Sequence, residues 1–600
     1  MWPFASFPES SPADVEGKVY DYIIVGGGTA GCVVASRLSE DQDVSVLVIE
    51  KGHVKDSLVS RMPLLSQNMF LGEALQVQGN RWSEPIPAAN GRRNRLWAVE
   101  GLGGATRMNA MLWTWGFPGD YTAWSEMGLD DWRYEKLEPY FRRIENAVAH
   151  PESQFRGHDG PIELRQFRLP FVWTTYFEKA IQAMGLRLET DVNDPKAPAM
   201  GCFNLDTAIT KQGSRVSAVT AYLSKKVALE RRQRLTICTG AVASRLECKT
   251  QTGLVTGVHI QSSQQPGKHF FAKARREVIL CSGAACTPQL LLLSGIGPKK
   301  SAEDFDIPLV KELPAVGATF TDHFSIPIML EVPKEETVHY LESIWGLWHI
   351  LLWLLFGKGL VALSSMTTAL YVHTKAIDKD TMEVKTSASS LHSSLSANVP
   401  DIKLMIMPNS AVERAVDGHS LISLYPTLVQ PRGSGRIDLA NIDPFAQPRI
   451  TYPLFTDQHD IESARLAVRF TMRLAEKFQQ SGYPYSAKLA FAPGQDPAIL
   501  EKWEQTNKTW NTVTDEEIDD YVRRVSHTSL HFSGTCPMST TEQSGVVDQS
   551  LRVHGFSNLR IADTSVFPRI PSCHTMAPVM VVAERCADMI KTAWEGKRSQ

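Results

Sequence analysis

Two groups of residues in this 600-residue chain have the types and spacing to do chemistry. The first is the run Asp21-Tyr-Ile-Ile-Val-Gly26-Gly-Gly28-Thr29-Ala30-Gly31, paired with Glu50 at the end of Val44-Ser-Val-Leu-Val-Ile-Glu50. In a Gly-x-Gly-x-x-Gly turn the first glycine permits the bend and the second lets backbone approach a pyrophosphate. The third lets the helix lie close on the strand. A carboxylate about 20 residues further on is placed to accept hydrogen bonds from a ribose. The spacing points to a dinucleotide whose phosphates face the free N–H groups of a helix N-terminus. It does not separate NAD from FAD. The second group lies far along the chain, in His531-Phe-Ser-Gly534-Thr535-Cys536, Leu559-Arg-Ile-Ala-Asp563 and Pro571-Ser-Cys-His574-Thr575-Met576-Ala-Pro578. Imidazole, with an unperturbed pKa of about 6.5, is the side chain that exchanges a proton most readily near neutrality.

These residues need elements to hold them. Tyr22 to Val25 reads as a buried strand and Cys32 to Leu38 as a helix, with a second strand ending at Glu50. Residues 60–100 lack a clear period and read as a loop covering the cofactor. Gly101-Leu-Gly103-Gly104-Ala-Thr106-Arg-Met108-Asn109-Ala110-Met111-Leu112 lets backbone pass close to a flat ligand, which the Asn109 amide is able to bond. Asp120 to Phe141 suggests an aromatic-rich helical segment. A helix is expected from about Val219 to Leu229, and strands over Leu235–Cys238 and Val278–Ser282, the second running into an apolar helix that stops at Gly295. Residues 325–525 change character. Strand-like runs at 401–407 and 421–429 precede a helical run, Asp460 to Phe478, and suggest a sheet-based substrate domain. A helix from about Val579 to Trp594 closes the chain.

Composition narrows the functional class. A formal net charge of -3 leaves no basic excess to suggest nucleic acid. Nine cysteines without a C-x-x-C pair argue against a complete disulfide framework and offer no metal-binding pattern. No positively charged and apolar leader pattern is visible, which leads to the expectation of a cytoplasmic protein. The most apolar stretch, Ile344-Trp-Gly-Leu-Trp-His-Ile-Leu-Leu-Trp-Leu-Leu-Phe356, is shorter than the roughly 20 residues of a spanning helix. A buried helix is the expectation here. The alternatives are a lining for an apolar substrate or a weak membrane-surface contact through Trp345–Phe356.

Taken together, the Gly26/Gly28/Gly31 unit, the Gly103-Gly104 loop, the Gly283–Gly297 segment, Leu313-Pro-Ala-Val-Gly317 with Asp322-His323, and the His531 and Asp563–His574 blocks resemble the glucose–methanol–choline (GMC) family of flavin oxidoreductases. The resemblance runs from Tyr20 to Trp594. It implies an α/β chain with a Rossmann-like FAD-binding domain and an interleaved α+β substrate-binding domain built on a largely antiparallel sheet. Residues 20–325 would be mainly FAD-binding, 326–525 mainly substrate-binding, and 526–597 a return to the FAD domain. It implies FAD as the cofactor. The ADP half would lie on Gly26, Gly28, Thr29, Ala30, Gly31 and Glu50, with Val242 at the adenine end. Gly103, Asn109, Ala110, Met111 and Leu112 would lie along the flavin, and Asp563, Thr575 and Met576 would close over it.

The family's catalytic pair maps onto His531 and His574. His531 would take the O–H proton of an alcohol as hydride moves to flavin N5, and His574 would hold the substrate oxygen. His527 and His323 are expected to be structural. Met108 stands where some members carry a histidine bonded covalently to flavin, so FAD is expected to be non-covalent. The expected reaction is oxidation of an apolar or aromatic alcohol to a carbonyl, with O2 or another electron acceptor. The alternative is a non-redox lyase, cyclase or decarboxylase that retains FAD. Oligomeric state is not readable from these residues.

Overall fold

The computed structural model describes residues 6–68, 75–78, 81–249, 252–265, 267–385, 391–410, 418–494 and 508–598. The Gly26 turn sits at the heart of the first sheet. Strand β1 (Val19–Val25) is buried over all but its first residue, the near-continuous apolar pattern of a strand covered on both faces. Helix α1 (Thr29–Leu38) starts directly after Gly28. A Cβ on Gly31 would lie 1.9 Å from the Gly26 carbonyl oxygen, so helix and turn approach this closely only with glycine there. Strand β2 (Val46–Ile49) runs parallel to β1, with Val25 opposite Ile49.

The sheet is completed by β3 (Leu235–Cys238), β4 (Ala241–Lys249), β5 (Leu254–Ser262) and β6 (His269–Leu280) in the order β3-β2-β1-β6-β5-β4. The short strand Leu559–Ile561 adds in parallel to the end of β6. This pairing carries Asp563 to the start of helix α2 (Gly283–Leu293). The expected helix over 219–229 is instead two short ones, Ala218–Tyr222 and Lys225–Glu230, because Ser224 caps the second by accepting from Val227 N–H. The 60–100 stretch contains the two-stranded pair Val77–Gln78 and Ala98–Val99 as well as loop; residues 69–74 and 79–80 lie outside the described residues.

The second sheet is mostly antiparallel. Its central strands are β7 (Ile328–Glu331), β8 (Thr368–Val372), β9 (Ile402–Met407) and β10 (Leu421–Leu428), in the order β7-β10-β9-β8. Gly201–Asn204 joins the β8 edge, so the first half of the chain contributes a strand to this sheet. Helix α4 (Gln458–Gln479) packs on it through Ala464, Ala467, Val468, Phe470 and Leu474. Two short pairings matter most for the site. Phe324–Ser325 pairs with both β10 and His527–Thr528, which brings the segments carrying His323 and His531 together.

Helix α3 (Ile344–Phe356) corrects two expectations. It forms as a helix, with Ser343 at its start and Gly357 at its end, but only Gly346 and Trp353 are buried. Trp353 and Ile350 pack against Met62, Leu65, Val361 and Ala362. Ile344 and Leu347 remain 77% and 69% exposed, and no residue of the helix lines the main cavity. The segment is apolar all round, whereas the protein covers one side of it. It is therefore neither a buried helix nor a substrate lining. Among the described residues no helix is long and apolar enough to cross a membrane.

Candidate active site

A cavity of about 980 Å³ runs between the two sheets. One end is built by the first sheet. Gly26, Gly28, Thr29, Ala30 and Glu50 line it, joined by Val242 on β4. Glu50 is buried, with one carboxylate oxygen accepting from Gly27 N–H at 2.8 Å and the other from Gly52 N–H at 2.9 Å. Burial raises its pKa and these bonds oppose the rise. A carboxylate has about four acceptor positions, so two bonds leave capacity for a ligand hydroxyl. Gly31 and Gly103 do not line the cavity but shape it. Gly103 has φ 93° and donates its N–H to Gly27 O at 2.8 Å, docking the Gly103–Leu112 loop onto the Gly26 turn.

Along that loop Asn109, Ala110 and Leu112 reach the cavity, whereas Met111 (φ 61°) is buried in the apolar core around the first sheet. The loop is held by Arg215, which the sequence reading passed over. Its guanidinium is buried, has no carboxylate partner among the described residues, and donates to Ser66 Oγ, the carbonyls of Thr106 and Asn109, and Asn109 Oδ1 at 2.6–3.0 Å. Burial, then the nearby Arg107 charge, pushes its pKa down to about 9. The Asn109 amide is thereby oriented, and its Nδ2 lies 3.0 Å from Met576 Sδ.

Asp563 lines the cavity while accepting from Gly283 N–H and Thr287 Oγ1 through one oxygen and from Ser565 N–H through the other. It caps the N-terminus of α2. Thr575 and Met576 line the wall at the start of helix α5 (Met576–Arg598). Cradling glycines, a buried carboxylate, two helix N-termini and an elongated cavity fit a dinucleotide cofactor.

At the far end the predicted pair meets. The His531 and His574 rings have centroids 5.2 Å apart at 84°. His531 is held from behind. Its backbone N–H donates to Asp322 Oδ1 at 2.8 Å, and its Nδ1 lies 2.9 Å from Nδ1 of fully buried His323. Asp322 also accepts from Tyr452 and Thr528 hydroxyls. Burial outweighs these bonds and pushes its pKa up to about 7. Burial first, and the charge of Lys403 second, hold His531 and His574 well below the ordinary imidazole pKa. Both are neutral at pH 7. Among the described residues His531 Nε2 has no hydrogen-bond partner, so its cavity-facing edge is free.

His323 touches His531 directly, so it is a positioning residue as well as a buried one. His527 also lines the cavity; burial lowers its pKa to about 4, and its ring nitrogens bond Tyr425 Oη and Val525 O. The other residue absent from the sequence reading is Lys403 on β9, 1% exposed, with Nζ 3.2 Å from His574 Nε2. A lysine inside the apolar run 401–407 was the available signal. Met108 lines the cavity with a side chain that has no nitrogen to bond a flavin.

A second cluster, His150, Asp191 and Asp206, has donor atoms close enough for a metal ion, but the Arg156 guanidinium is bonded to both aspartates and to Glu145. It is an ion-pair network.

Comparison with known proteins agrees with this architecture. Residues 20–325 and 431–583 match the N- and C-terminal models of GMC oxidoreductases. A dehydrogenase of Strobilurus tenacellus named str4 is 30% identical over 593 residues, covering 96% of this chain and 94% of that protein. An oxygen-dependent choline dehydrogenase of Chromohalobacter salexigens is 30% identical over 589 residues, covering 96% and 95%. Among solved structures, an Aspergillus oryzae formate oxidase superposes with a TM-score of 0.83 at 25% identity, covering 97% of this chain and 99% of its own. The chain belongs to the GMC oxidoreductase family of FAD-dependent enzymes that oxidise CH–OH groups.

Proposed function

We propose that the protein oxidises an alcohol with an apolar body to its carbonyl, with His531 as the base and His574 as the partner of the substrate oxygen. The observation that carries this reading is the meeting of the two neutral rings in the wall of a cavity whose other end fits FAD. Bound FAD supplies a two-electron acceptor for the hydride.

The chain's own residues do the rest. Of the facing His323 and His531 Nδ1 atoms, one must carry the shared proton. With His531 Nδ1 as donor and His323 Nδ1 as acceptor of that proton, His531 Nε2 presents a lone pair to the cavity. Nε2 takes the hydroxyl proton as the carbinol C–H bond breaks. Asp322 and His323 keep the ring from turning. Met366, Met405, Leu530 and Phe532 supply an apolar wall for the substrate body.

FAD is held without a covalent bond in this reading, because Met108 offers no attachment. Acid precipitation should release the yellow colour into the supernatant, and colour retained in the pellet would contradict it. The function itself is tested by incubating the holoenzyme with aromatic and aliphatic alcohols and a dye acceptor. One carbonyl formed per two electrons taken up by the dye is expected. Product formed with no dye reduction favours the lyase, cyclase or decarboxylase alternative.

A further inference from the structure

Lys403 lies at the centre of the second sheet, where β9 pairs it with Tyr371 on β8 and Thr427 on β10. It is 1% exposed, and its one hydrogen bond among the described residues is the 3.2 Å contact with His574 Nε2. Among the described residues no carboxylate lies within ion-pair distance of Nζ. The groups that face it are the Cys573 thiol, kept protonated by burial, and the neutral rings of His574, His531 and His323. The described residues supply no anion to this amine, although an isolated buried ammonium carries a desolvation cost of several kcal/mol. Arg156, a comparably buried cation, is surrounded by three carboxylates. Lys403 also lines the cavity, so a bound molecule can reach it. Burial brings its pKa down to about 7, and the amine therefore gains a proton readily when an anion arrives.

We propose that Lys403 is the anchor for a substrate carboxylate on the carbon next to the carbinol, which makes 2-hydroxy carboxylates with an apolar side chain the substrate class. This rests on the reading of His531 and His574 as the site of the carbinol oxygen. Nζ stands 3.2 Å from His574 Nε2, so an anion on Lys403 lies beside the His574 ring, and a carboxylate on the carbon next to the carbinol is the substrate anion that stays nearest to an oxygen held by that ring. The apolar remainder then lies against Met366, Met405, Leu530 and Phe532. In the reaction the C2–H bond breaks and its hydrogen leaves with both electrons to FAD. The O–H proton passes to His531 Nε2, C2–O becomes a carbonyl, and the carboxylate is unchanged. The product is the 2-oxo acid.

The test is equilibrium binding to the FAD-loaded protein, read as perturbation of the flavin absorbance, with two molecules that lack a carbinol: 3-phenylpropionate and its neutral amide. Wild type is expected to bind the carboxylate at least tenfold more tightly than the amide. Lys403→Met should abolish that preference with amide binding retained, and Lys403→Arg should keep part of it. Equal affinity for the two molecules in wild type, or an undiminished preference in Lys403→Met, overturns the anchor. The wild-type comparison decides even if Lys403→Met fails to fold. No turnover is involved, so failure of the catalytic reading is separable. His531→Ala should keep the carboxylate preference, and a preference in a protein that oxidises no alcohol leaves the anchor standing while removing the proposed function.

Discussion

His531→Ala should lower kcat for alcohol oxidation by about 10³-fold, roughly 4 kcal/mol, with FAD still bound. The substitution removes the Nε2 lone pair that faces the cavity and leaves the glycine cradle, Glu50 and Arg215 untouched at the other contacts. The loss should fall on kcat more than on KM, because proton removal is worth more in the transition state than in the bound substrate. The wild-type pH profile carries the same idea. His531 is held well below the ordinary imidazole pKa, by burial first and then by Lys403. A base acts only when unprotonated, so activity present at neutral pH should persist as pH falls through 6.5 and decline only at lower pH. Stopped-flow flavin reduction across pH checks both statements. An acid limb centred at or above 6.5, or an alanine variant within a few-fold of wild type, would contradict the assignment.

Arg156→Met should destabilise the folded protein by about 3–5 kcal/mol. Arg156 is fully buried. It donates to both oxygens of Glu145 at 2.8 and 3.0 Å, to both oxygens of Asp191 at 2.9 Å, and to Asp206 at 2.6 Å. His150 lies beside Asp191 and Asp206 as well. Burial opposes its charge, but the Asp206 hydrogen bond and the two aspartate charges outweigh this and raise its pKa. Removing the guanidinium leaves three clustered carboxylates with one histidine.

The effect should reach the cofactor end as well. Glu145 Oε2 also accepts from the indole N–H groups of Trp113 and Trp115, the first and third residues after Leu112 at the end of the Gly103–Leu112 loop. Urea denaturation of Arg156→Met and Arg156→Lys, with and without added FAD, is the check. Lysine keeps a charge without the fork and should lose less than methionine. A methionine variant as stable as wild type would show that the network contributes little.

The parts of this protein legible in the sequence were those fixed by local requirements. Gly31 is needed because a Cβ would meet the Gly26 carbonyl oxygen, and that need shows as a glycine three residues after Gly28. His531 and His574 were singled out because each sits inside a short recognisable block, although nothing in the sequence said that their rings would lie side by side. Arg215 and Lys403 were missed for a common reason. Each is an ordinary basic residue whose burial is decided by segments distant in sequence: Ser66 and the Asn109 loop for one, β8, β10 and His574 for the other.

His323 was read as structural but not as the neighbour of His531, since that contact depends on the pairing of Phe324–Ser325 with His527–Thr528. Helix α3 failed in the opposite direction. Its hydropathy was read correctly, but hydropathy does not say which faces find a partner, and only the side bearing Trp353 and Ile350 does.

The most direct test of the central claim is the absorbance of the oxidised flavin, recorded without oxygen while alcohols, 2-hydroxy carboxylates included, are titrated into wild type and His531→Ala. Bleaching of the visible flavin band in wild type, with a rate lowered about 10³-fold in the alanine variant, is the predicted result. A flavin that stays oxidised with every alcohol while the substrate is consumed, or one that bleaches equally fast in both proteins, would contradict it.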